Sequence, residues 1–325
     1  FDKKIFFVEN IDPSPIKTLL ENLDLRKTAI VVTSKSGETM ETLSQYFFIS
    51  NYYKNKKINI FKKLLIITEN KKSTLKDIQE NMNSEYFEHS KNIGGRFSIF
   101  SAVGLLPASI SGLNISKIRR GGHEILEKMI ACNNVRQLDF AMASLDNVNL
   151  IKKGYSQTVM MPYIDALDTF CFWFRQLWGE SIGKKGLGST PINSLGTVDQ
   201  HSQLQLYLDG PKDKLITIIG YKKTNDSRFL NCKINKNLKY ELLHKKTMGK
   251  LFDLEKRATF ETLKKKKIPL RLIEIEKLNE KTLGSLIMHY FLETIYTCEL
   301  LNINPFDQPA VENGKILARK YLNNE

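Results

Sequence analysis

Residues 29–45 read AIVVTSKSGETMETLSQ, and this stretch carries the strongest indication of the fold. Its apolar, β-branched start predicts a buried strand, and its later apolar spacing predicts a helix. Between the two, residues 34–39 (SKSGET) place hydroxyl and backbone N–H groups at the start of that helix. A helix N-terminus attracts anions, and Gly37 lets the backbone approach a bound group closely. Ordinary helix capping by serine and threonine is the alternative interpretation of the same residues.

The rest of the chain repeats this alternation of strand and helix. Residues 39–53 and 166–178 have apolar side chains at helical spacing. Alternation of this kind predicts an α/β fold with mainly parallel, doubly wound sheets. The strand candidates form two groups, before and after residues 94–125, so we expect two α/β units. The further strand candidates are residues 5–10, 64–68, 158–163, 215–221 and 270–275.

Two features near the C-terminus support the same interpretation. Ile287, Phe291 and Ile295 fall on one face of a predicted helix, which indicates core packing. That helix should end before Pro305, because proline cannot continue it. A loop through residue 314 and a short terminal helix are then expected, with Asn313 and Gly314 forming a turn that could aim Lys315 inward.

Composition narrows the functional class. The 325 residues are 42% hydrophobic, which is typical of a globular protein with one large or two ordinary domains. The sequence has neither a signal-peptide pattern nor an apolar run of roughly 18 residues, so we expect a soluble, cytoplasmic protein. The histidines lack metal-ligand spacing, and the cysteines form no CxxC pair, so neither a metal site nor disulfides are expected. The cysteines are Cys132, Cys171, Cys232 and Cys298.

The net charge of +14 favours an anionic partner. The excess is mostly lysine spread along the chain, with one run at residues 264–267. A basic protein of this kind could bind nucleic acid, but a small anionic substrate suits the charge equally well. A run of lysines is usually a solvated surface, so the nucleic-acid interpretation is the weaker one.

Four other segments contain residues that could carry chemistry. Arg96 follows paired glycines and could place a guanidinium near a phosphate or an oxyanion. Gln176 and Glu180 lie four apart on a predicted helix beside a glycine-rich loop, where a carboxylate could act as a base. His201 follows a polar turn and could move protons. Taken singly, each of these residues is also explained as a solvated surface group, and the same holds for Gln308 and Lys315 in the last polar segment.

Taken in order, five segments resemble the glucose-6-phosphate isomerase family, in particular a bacterial sub-branch. The resemblance extends from about Phe7 to Tyr321. It implies two sugar-isomerase (SIS) domains, the first in residues 1–118 with a connecting helix and the second in residues 119–325 with a C-terminal helical segment. The segments that carry it are TSKSGETMET (33–42), GGRFSIFSAVGL (94–105), WGESIGKKG (178–186), GTVDQHSQLQLYLDGP (196–211) and INPFDQPAVENGK (303–315).

The resemblance also implies an activity. Members interconvert glucose 6-phosphate and fructose 6-phosphate through an enediol(ate), in glycolysis and gluconeogenesis, with neither a metal nor an organic cofactor. It implies a homodimer in which His201 reaches the partner's site. By the same resemblance, Glu180 is the base, Arg96 stabilises the enediolate, His201 and Lys315 open the sugar ring, and Gln176 and Gln308 contact the substrate. The phosphate-holding loop corresponds to Ser34, Lys35, Ser36, Gly37, Glu38 and Thr39.

This sequence departs from the family pattern in three places. It has GESIGK where many members have MESNGK, and GTVDQH where many have GTNGQH. The family's glycine-rich loop normally precedes the position of Phe1, so we expect the sequence to be incomplete at its N-terminus. Two alternatives stay open: an isomerase that also accepts mannose 6-phosphate, and a non-catalytic sugar-phosphate sensor. A sensor would not need Glu180, His201 and Lys315 together.

Overall fold

A computed structural model describes residues 4–230 and 242–324 of the chain. The chain divides into two compact units, Phe1–Arg119 and Arg120–Glu325. Each unit contains a parallel sheet with helices packed around it. The predicted α/β fold with parallel sheets is therefore confirmed.

The first unit is built on a three-stranded parallel sheet. Its strands are β1 (Ile30–Thr33), β2 (Leu64–Thr68) and β3 (Glu85–Glu88), in the spatial order β1-β2-β3. The central strand is apolar because both of its faces are covered, as is usual for parallel sheets. Its core cluster contains Val32, Tyr46, Leu64, Ile66 and Leu75. The helices of this unit are α1 (Pro13–Asn22), α2 (Met40–Asn55), α3 (Thr74–Met82) and α4 (Ala102–Ile110), with short 3₁₀ helices at Phe61–Lys63 and Gly95–Phe100.

Two of the strand predictions in this unit are confirmed, and one is wrong. Strands β1 and β2 match residues 29–34 and 64–68. Residues 5–10 are not a strand: Phe6 and Phe7 are half or more exposed, while Val8 packs against a helical cluster. A strand needs a partner for its backbone, and none of the described residues pairs with this segment.

The second unit contains a four-stranded parallel sheet in the order β5-β4-β6-β7. Its strands are β4 (Gln157–Pro162), β5 (Thr190–Asn193), β6 (Lys214–Tyr221) and β7 (Leu270–Ile275). The predictions for residues 158–163, 215–221 and 270–275 are confirmed, and β5 was not predicted. A core cluster that includes Val159, Met161, Ile216, Ile218 and Leu263 packs on this sheet.

The remaining helices belong to the second unit, except that the first of them, α5, begins in the first unit. They are α5 (Ile115–Ala131), α6 (Asp139–Lys152), α7 (Asp168–Ile182), α8 (Leu204–Asp209), α9 (Met248–Lys265), α10 (Glu280–Leu300) and α11 (Glu312–Asn324). Short 3₁₀ helices lie at Val135–Gln137, Asp165–Leu167, Val198–His201 and Pro309–Val311.

Helix α10 is the central helical support of the second unit. Ile287 and Phe291 are buried and Ile295 is half-buried, so the predicted core face is confirmed. Helix α10 ends at Leu300, before Pro305, as expected. Its Tyr290 ring lies 5.0 Å from the ring of Phe174 on α7, in edge-to-face geometry. Aromatic pairs of this kind add about 0.5–1.5 kcal/mol beyond the area they bury.

Cys132 and Cys171 are free thiols, and Cys232 lies outside the described residues. Burial raises the pKa of Cys171 to about 12, so this thiol stays protonated. Among the described residues, no helix combines the length and the apolar character needed to cross a membrane.

A buried ion pair joins β7 to α10. Arg271 Nη1 lies 2.7 Å from Glu293 Oε1, and Asn147 Nδ2 of α6 donates to the same oxygen at 2.8 Å. His289 Nε2 lies 3.2 Å from the other carboxylate oxygen. Burial alone would raise the pKa of Glu293, but Arg271 and then His289 outweigh it and lower that pKa to about 2. The pair therefore stabilises the fold only while Glu293 is ionised.

We predict that Arg271→Met lowers the free energy of unfolding by about 3–5 kcal/mol, because it leaves a buried carboxylate without its cation. The matched control is Arg257→Met, which removes a surface arginine paired with Glu261 and should leave stability unchanged. Denaturant titration measures both variants. Equal stability of the two variants would contradict the prediction.

The same pair predicts a pH dependence. The lowered pKa of Glu293 means that its contribution is complete above its ordinary value near 4.5 and is lost as the pH falls toward 2. Between about pH 4.5 and 2, the free energy of unfolding should therefore decrease less in Arg271→Met than in the unmodified protein.

Candidate active site

The loop at residues 34–39 connects the end of β1 to the start of α2. The Ser34 backbone N–H donates to the carbonyl of Ile67 at 3.1 Å, which ties the loop to β2. Ser34 Oγ lies 2.8 Å from Thr39 Oγ1, and Ser36 Oγ accepts from the backbone N–H of Glu38 at 3.1 Å. Thr39 is the N-cap residue of α2, yet its side chain makes no capping hydrogen bond. Capping therefore does not explain this hydroxyl, and the three hydroxyl groups form one polar cluster at a helix N-terminus.

Gly37 fixes the shape of this loop. Its φ of +72° lies in the left-handed region, where a side chain is strained. A Cβ atom at this position would lie 2.2 Å from Ser73 Oγ, at the start of α3. The Gly37 carbonyl also accepts from the Leu75 backbone N–H at 3.1 Å. The loop thus packs against α3 in a way that only glycine permits.

The two charged residues of the loop are engaged with neighbouring segments. Glu38 Oε1 accepts from the Thr74 backbone N–H at 2.6 Å, so its carboxylate caps α3. Lys35 Nζ donates to the Lys91 carbonyl at 2.9 Å and lies 3.7 Å from Glu69. These contacts hold the loop in place, while the substrate contacts of Lys35 and Glu38 stay a prediction.

Arg96 is a buried arginine at the start of a 3₁₀ helix. The residue is only 3% exposed, which excludes the interpretation as a surface arginine. The 3₁₀ helix is stabilised by Ser98 Oγ, which donates to the Gly95 carbonyl at 2.6 Å. The guanidinium carbon lies 5.5 Å from the centre of the Phe97 ring. A fixed positive charge that is largely shielded from water stabilises an anion more strongly than a surface charge does.

Glu180 lies in the last turn of α7 and is half-buried. Gln176 Nε2 donates to Glu180 Oε1 at 3.1 Å, so the predicted common face of these two residues is confirmed. The amide orients the carboxylate without neutralising it. Gly183 ends the helix, where a Cβ atom would lie 2.9 Å from the Gly179 carbonyl oxygen.

The opposite face of α7 anchors this helix in the second unit. Leu177, Trp178 and Ile182 are buried, and Trp178 Nε1 donates to the Ser189 carbonyl at 3.1 Å. Ser189 Oγ in turn lies 2.6 Å from Thr158 Oγ1 on β4. The turn that carries Glu180 is therefore held rigidly against the sheet.

His201 is exposed at the end of a short 3₁₀ helix. Asp199 fixes this segment, because its carboxylate accepts from the Leu195 backbone N–H at 2.6 Å and from Ser202 Oγ at 2.5 Å. Burial would raise the pKa of Asp199, but these hydrogen bonds outweigh it and lower that pKa. Gln200 Nε2 donates to the hydroxyl of buried Tyr163 at 2.6 Å. The backbone around His201 is thus fixed while its ring faces solvent.

Lys315 and Gln308 lie in the C-terminal segment. The predicted turn at Asn313 and Gly314 is wrong, because α11 already begins at Glu312 and contains both residues. Lys315 Nζ lies 2.8 Å from Glu312, and both side chains are exposed, so Lys315 does not point inward in this chain.

Lys184, beside the Glu180 helix, makes contacts that the sequence analysis did not predict. Its Nζ donates to the Ser181 carbonyl at 2.9 Å and the Asn304 carbonyl at 2.5 Å, and it lies 3.0 Å from Asp307. The hydrogen bond from Lys184 lowers the pKa of Asp307. Lys184 therefore joins the end of the Glu180 helix to the loop that leads to Gln308. In the sequence, the lysine pair directly after Gly183 is the pattern that could have indicated such a contact.

The fold and these polar loops define an α/β protein with candidate chemistry on the loops that follow its strands. The family described as phosphoglucose isomerase matches residues 2–325, nearly the whole sequence. This chain belongs to that family.

Individual relatives agree with this assignment. The probable glucose-6-phosphate isomerase of Methanococcus maripaludis is 38% identical over 323 residues, which cover 98% of this chain and 71% of that protein. The glucose-6-phosphate isomerase of Carboxydothermus hydrogenoformans is 36% identical over 96% of this chain and 69% of its own length.

Two solved structures have the same fold. A hypothetical protein from Thermus thermophilus matches with a TM-score of 0.90 and 30% identity, over 98% of this chain and 77% of that one. A glucose-6-phosphate isomerase from Chlamydia trachomatis matches with a TM-score of 0.83 over 99% of this chain and 64% of that one. At 24% identity, the second match supports the fold alone.

We predict that Gly37→Ala destabilises the first unit by at least about 2 kcal/mol, because it adds a strained φ and a clash with Ser73. Gly95→Ala is the matched control, since a Cβ atom there would meet nothing within 4 Å. Its effect should stay within about 0.5 kcal/mol. Thermal unfolding of both variants provides the measurement, and equal melting temperatures would refute the role of Gly37.

Proposed function

We propose that this protein is an aldose–ketose isomerase that interconverts glucose 6-phosphate and fructose 6-phosphate in glycolysis and gluconeogenesis. Family membership supports this reaction, because the match extends over residues 2–325. The structural observation on which the proposal rests is the Gln176–Glu180 hydrogen bond on an anchored helix end. The proposal includes a cytoplasmic location, the compartment expected from the sequence.

In the proposed mechanism, Glu180 is the only base that touches carbon-bound hydrogen. Its carboxylate removes the proton from C2 of the open-chain aldose, the electron pair forms the C1–C2 double bond, and the C1 carbonyl becomes an enediolate oxygen. The C2 hydroxyl proton moves to the C1 oxygen, so that the C2 oxygen becomes the new carbonyl and C1 carries a hydroxyl group, while Glu180 returns the carbon-bound proton to C1. A base placed in this way typically contributes about 10²–10⁴-fold to the rate.

Arg96 has the proposed role of stabilising the enediolate. Negative charge appears on oxygen only after the proton has left, so a cation fixed beforehand favours the transition state over the ground state. The burial of Arg96 supports this role, because few water molecules screen its charge.

The hydroxyl cluster of the 34–39 loop is proposed to hold the substrate phosphate. Ser34, Ser36 and Thr39 supply hydroxyl groups, and the N-terminus of α2 adds a favourable dipole. The phosphate takes no part in bond breaking. Its binding energy orients C1 and C2 for proton transfer instead.

His201 and Lys315 are proposed to open the sugar ring, and Gln176 and Gln308 to contact the sugar. We further propose a homodimer in which His201 acts in the site of the partner subunit. The exposed ring of His201 on a fixed backbone supports this arrangement. Lys315 would have to separate from Glu312 before it could serve the substrate, which an exposed ion pair permits at little cost.

We predict that Glu180→Gln in the intact protein lowers turnover at least about 10²–10⁴-fold, because the amide cannot accept the C2 proton. Binding of a substrate-like phosphate ester should persist, since size and hydrogen bonding are kept. Steady-state kinetics and calorimetry measure the two effects. The control is Glu299→Gln, an exposed carboxylate near the end of α10, which should turn over normally. Near-normal turnover of Glu180→Gln would contradict the assignment of Glu180 as the base.

Mixed dimers test the position of His201. We predict that Glu180→Gln and His201→Ala are each inactive alone but regain activity when they are co-expressed. One of the two sites in the mixed dimer would then combine an intact Glu180 with the intact His201 of the other subunit. If His201 acts within its own subunit, both sites of a mixed dimer lack one group and no activity returns.

A further inference from the structure

A cavity lies in the second unit, apart from the residues assigned to isomerisation. It has a volume of about 470 Å³ and opens beyond the carboxyl ends of β6 and β7, against α9. This volume falls within the range of small-molecule sites. None of Gln176, Glu180, His201, Gln308 or Lys315 lines it.

The lining of this cavity carries a net positive charge. Five of its residues are cationic and three are acidic, which gives a net charge of +2. The acidic residues are engaged internally: Asp253 accepts from Thr224 Oγ1 at 2.7 Å, and Asp226 accepts from a backbone N–H at the start of α9 at 3.0 Å. Glu274 accepts from buried Lys256 at 2.7 Å. Of the lining cations, Lys222 is paired with Glu276 and Arg257 with Glu261, both outside the lining. Lys223 and Lys250 are therefore the lining cations that are left for a ligand.

Two lysines at the mouth are available to an anion. Lys223 and Lys250 are exposed, and within residues 4–230 and 242–324 neither has an acidic group at ion-pair distance. At the base, Lys256 is only 5% exposed and passes under Gly220, where a Cβ atom would lie 2.6 Å from Lys256 Cδ. At the floor of the cavity the charge of Lys256 is therefore neutralised by Glu274, while the mouth is cationic.

One wall of the cavity is apolar. It consists of Phe260, Leu254 and Leu272, of which Leu254 is 46% exposed and Leu272 is 36% exposed. Phe260 packs against the core of the sheet, so its ring is held in place. An apolar wall beside cationic groups suits a ligand that has a flat apolar part and an anionic part. A ligand without an apolar part, such as inorganic phosphate, would leave this wall unused.

We propose that this cavity binds a phosphate monoester that carries a flat apolar group, the chemical class of a nucleoside monophosphate. Lys223 and Lys250 contact the phosphate, whose charge of nearly −2 the two ammonium groups balance. The ring system packs on Phe260 and the neighbouring leucines. The ligand is neither the substrate of the proposed reaction nor bound by its residues.

Helix α9 connects this cavity to the segment that carries His201. The side of α9 away from the cavity holds Gln200, whose Nε2 donates to the Glu255 carbonyl at 3.4 Å and to the Thr259 hydroxyl. Gln200 directly precedes His201. Ligand binding that shifts or orders α9 therefore changes the placement of His201, an effect that rests on the proposed function.

Calorimetry on the intact protein tests the site itself. The probes are adenosine 5′-monophosphate, adenosine and inorganic phosphate. We expect saturable binding of the monophosphate. Adenosine and phosphate should each bind at least about tenfold more weakly, because adenosine lacks the anionic group and phosphate lacks the flat ring system. Lys223→Ala/Lys250→Ala should weaken monophosphate binding at least about tenfold. Both lysines are exposed, so this variant should fold normally.

The matched control is Lys264→Ala/Lys265→Ala, which removes the same charge from α9 outside the cavity and should bind normally. The site is refuted if the monophosphate shows no saturable binding up to millimolar concentration, or if binding is unchanged in Lys223→Ala/Lys250→Ala. Phosphate binding as tight as that of the monophosphate would refute the apolar contact.

Kinetics test the connection to His201 separately. The monophosphate should change the turnover number of the isomerase at saturating substrate, and this change should disappear in Lys223→Ala/Lys250→Ala. Calorimetric binding with unchanged turnover would overturn the connection and leave the site standing. Because binding is measured without turnover, an inactive protein still gives a clear result.

Discussion

Parallel strand pairing is the constraint that places the loops at residues 34–39 and 194–201, because the hydrogen-bond ladders continue past the strands into these loops. In the first unit, the Glu69 N–H donates to the Lys35 carbonyl at 3.2 Å, beyond the last residues of β1 and β2. In the second, the Ser194 N–H donates to the Met160 carbonyl at 3.0 Å and the Gly196 N–H to that of Pro162 at 2.9 Å. A shift of register by one residue would reverse the side chains of a strand and move these loops with it. The loops are therefore as precisely placed as the sheets.

The candidate residues divide into buried and exposed groups, and the division matches their proposed tasks. Arg96 is buried and Glu180 is half-buried on an anchored turn, so their positions are fixed before the substrate arrives. Fixed groups avoid reorganisation during the reaction, which is where most electrostatic catalysis originates. His201 and Lys315 are exposed, and ring opening is a step in which a more mobile donor and acceptor suffice. Lys184 joins the end of the Glu180 helix to the loop that leads to Gln308.

Much of this fold could be predicted from the sequence, because buried parallel strands have an unbroken apolar pattern. Strands β2 and β6 are of this kind, with runs of leucine and isoleucine bounded by polar residues. Strand β3 escaped prediction because EYFE has a charge at each end and lies at the edge of its sheet. Residues 5–10 were wrongly predicted as a strand because their apolar pattern is typical of one. A strand also needs a neighbouring strand to pair with, and a local sequence pattern does not show whether one is present. The Gln176–Glu180 contact was predictable from helical spacing, whereas the Lys315–Glu312 pair depends on where α11 begins.

The proposed mechanism assigns one carboxylate to both halves of the proton transfer, and an isotope label follows that proton. Glucose 6-phosphate deuterated at C2 is converted by the intact protein in ordinary water, and the deuterium at C1 of the product is measured by mass spectrometry. A carboxylate base that carries the proton predicts a mixture, in which some product molecules keep deuterium at C1 and the others have lost it to water. Complete retention of deuterium at C1 in every product molecule would indicate direct hydride transfer between the carbons and would contradict the role of Glu180.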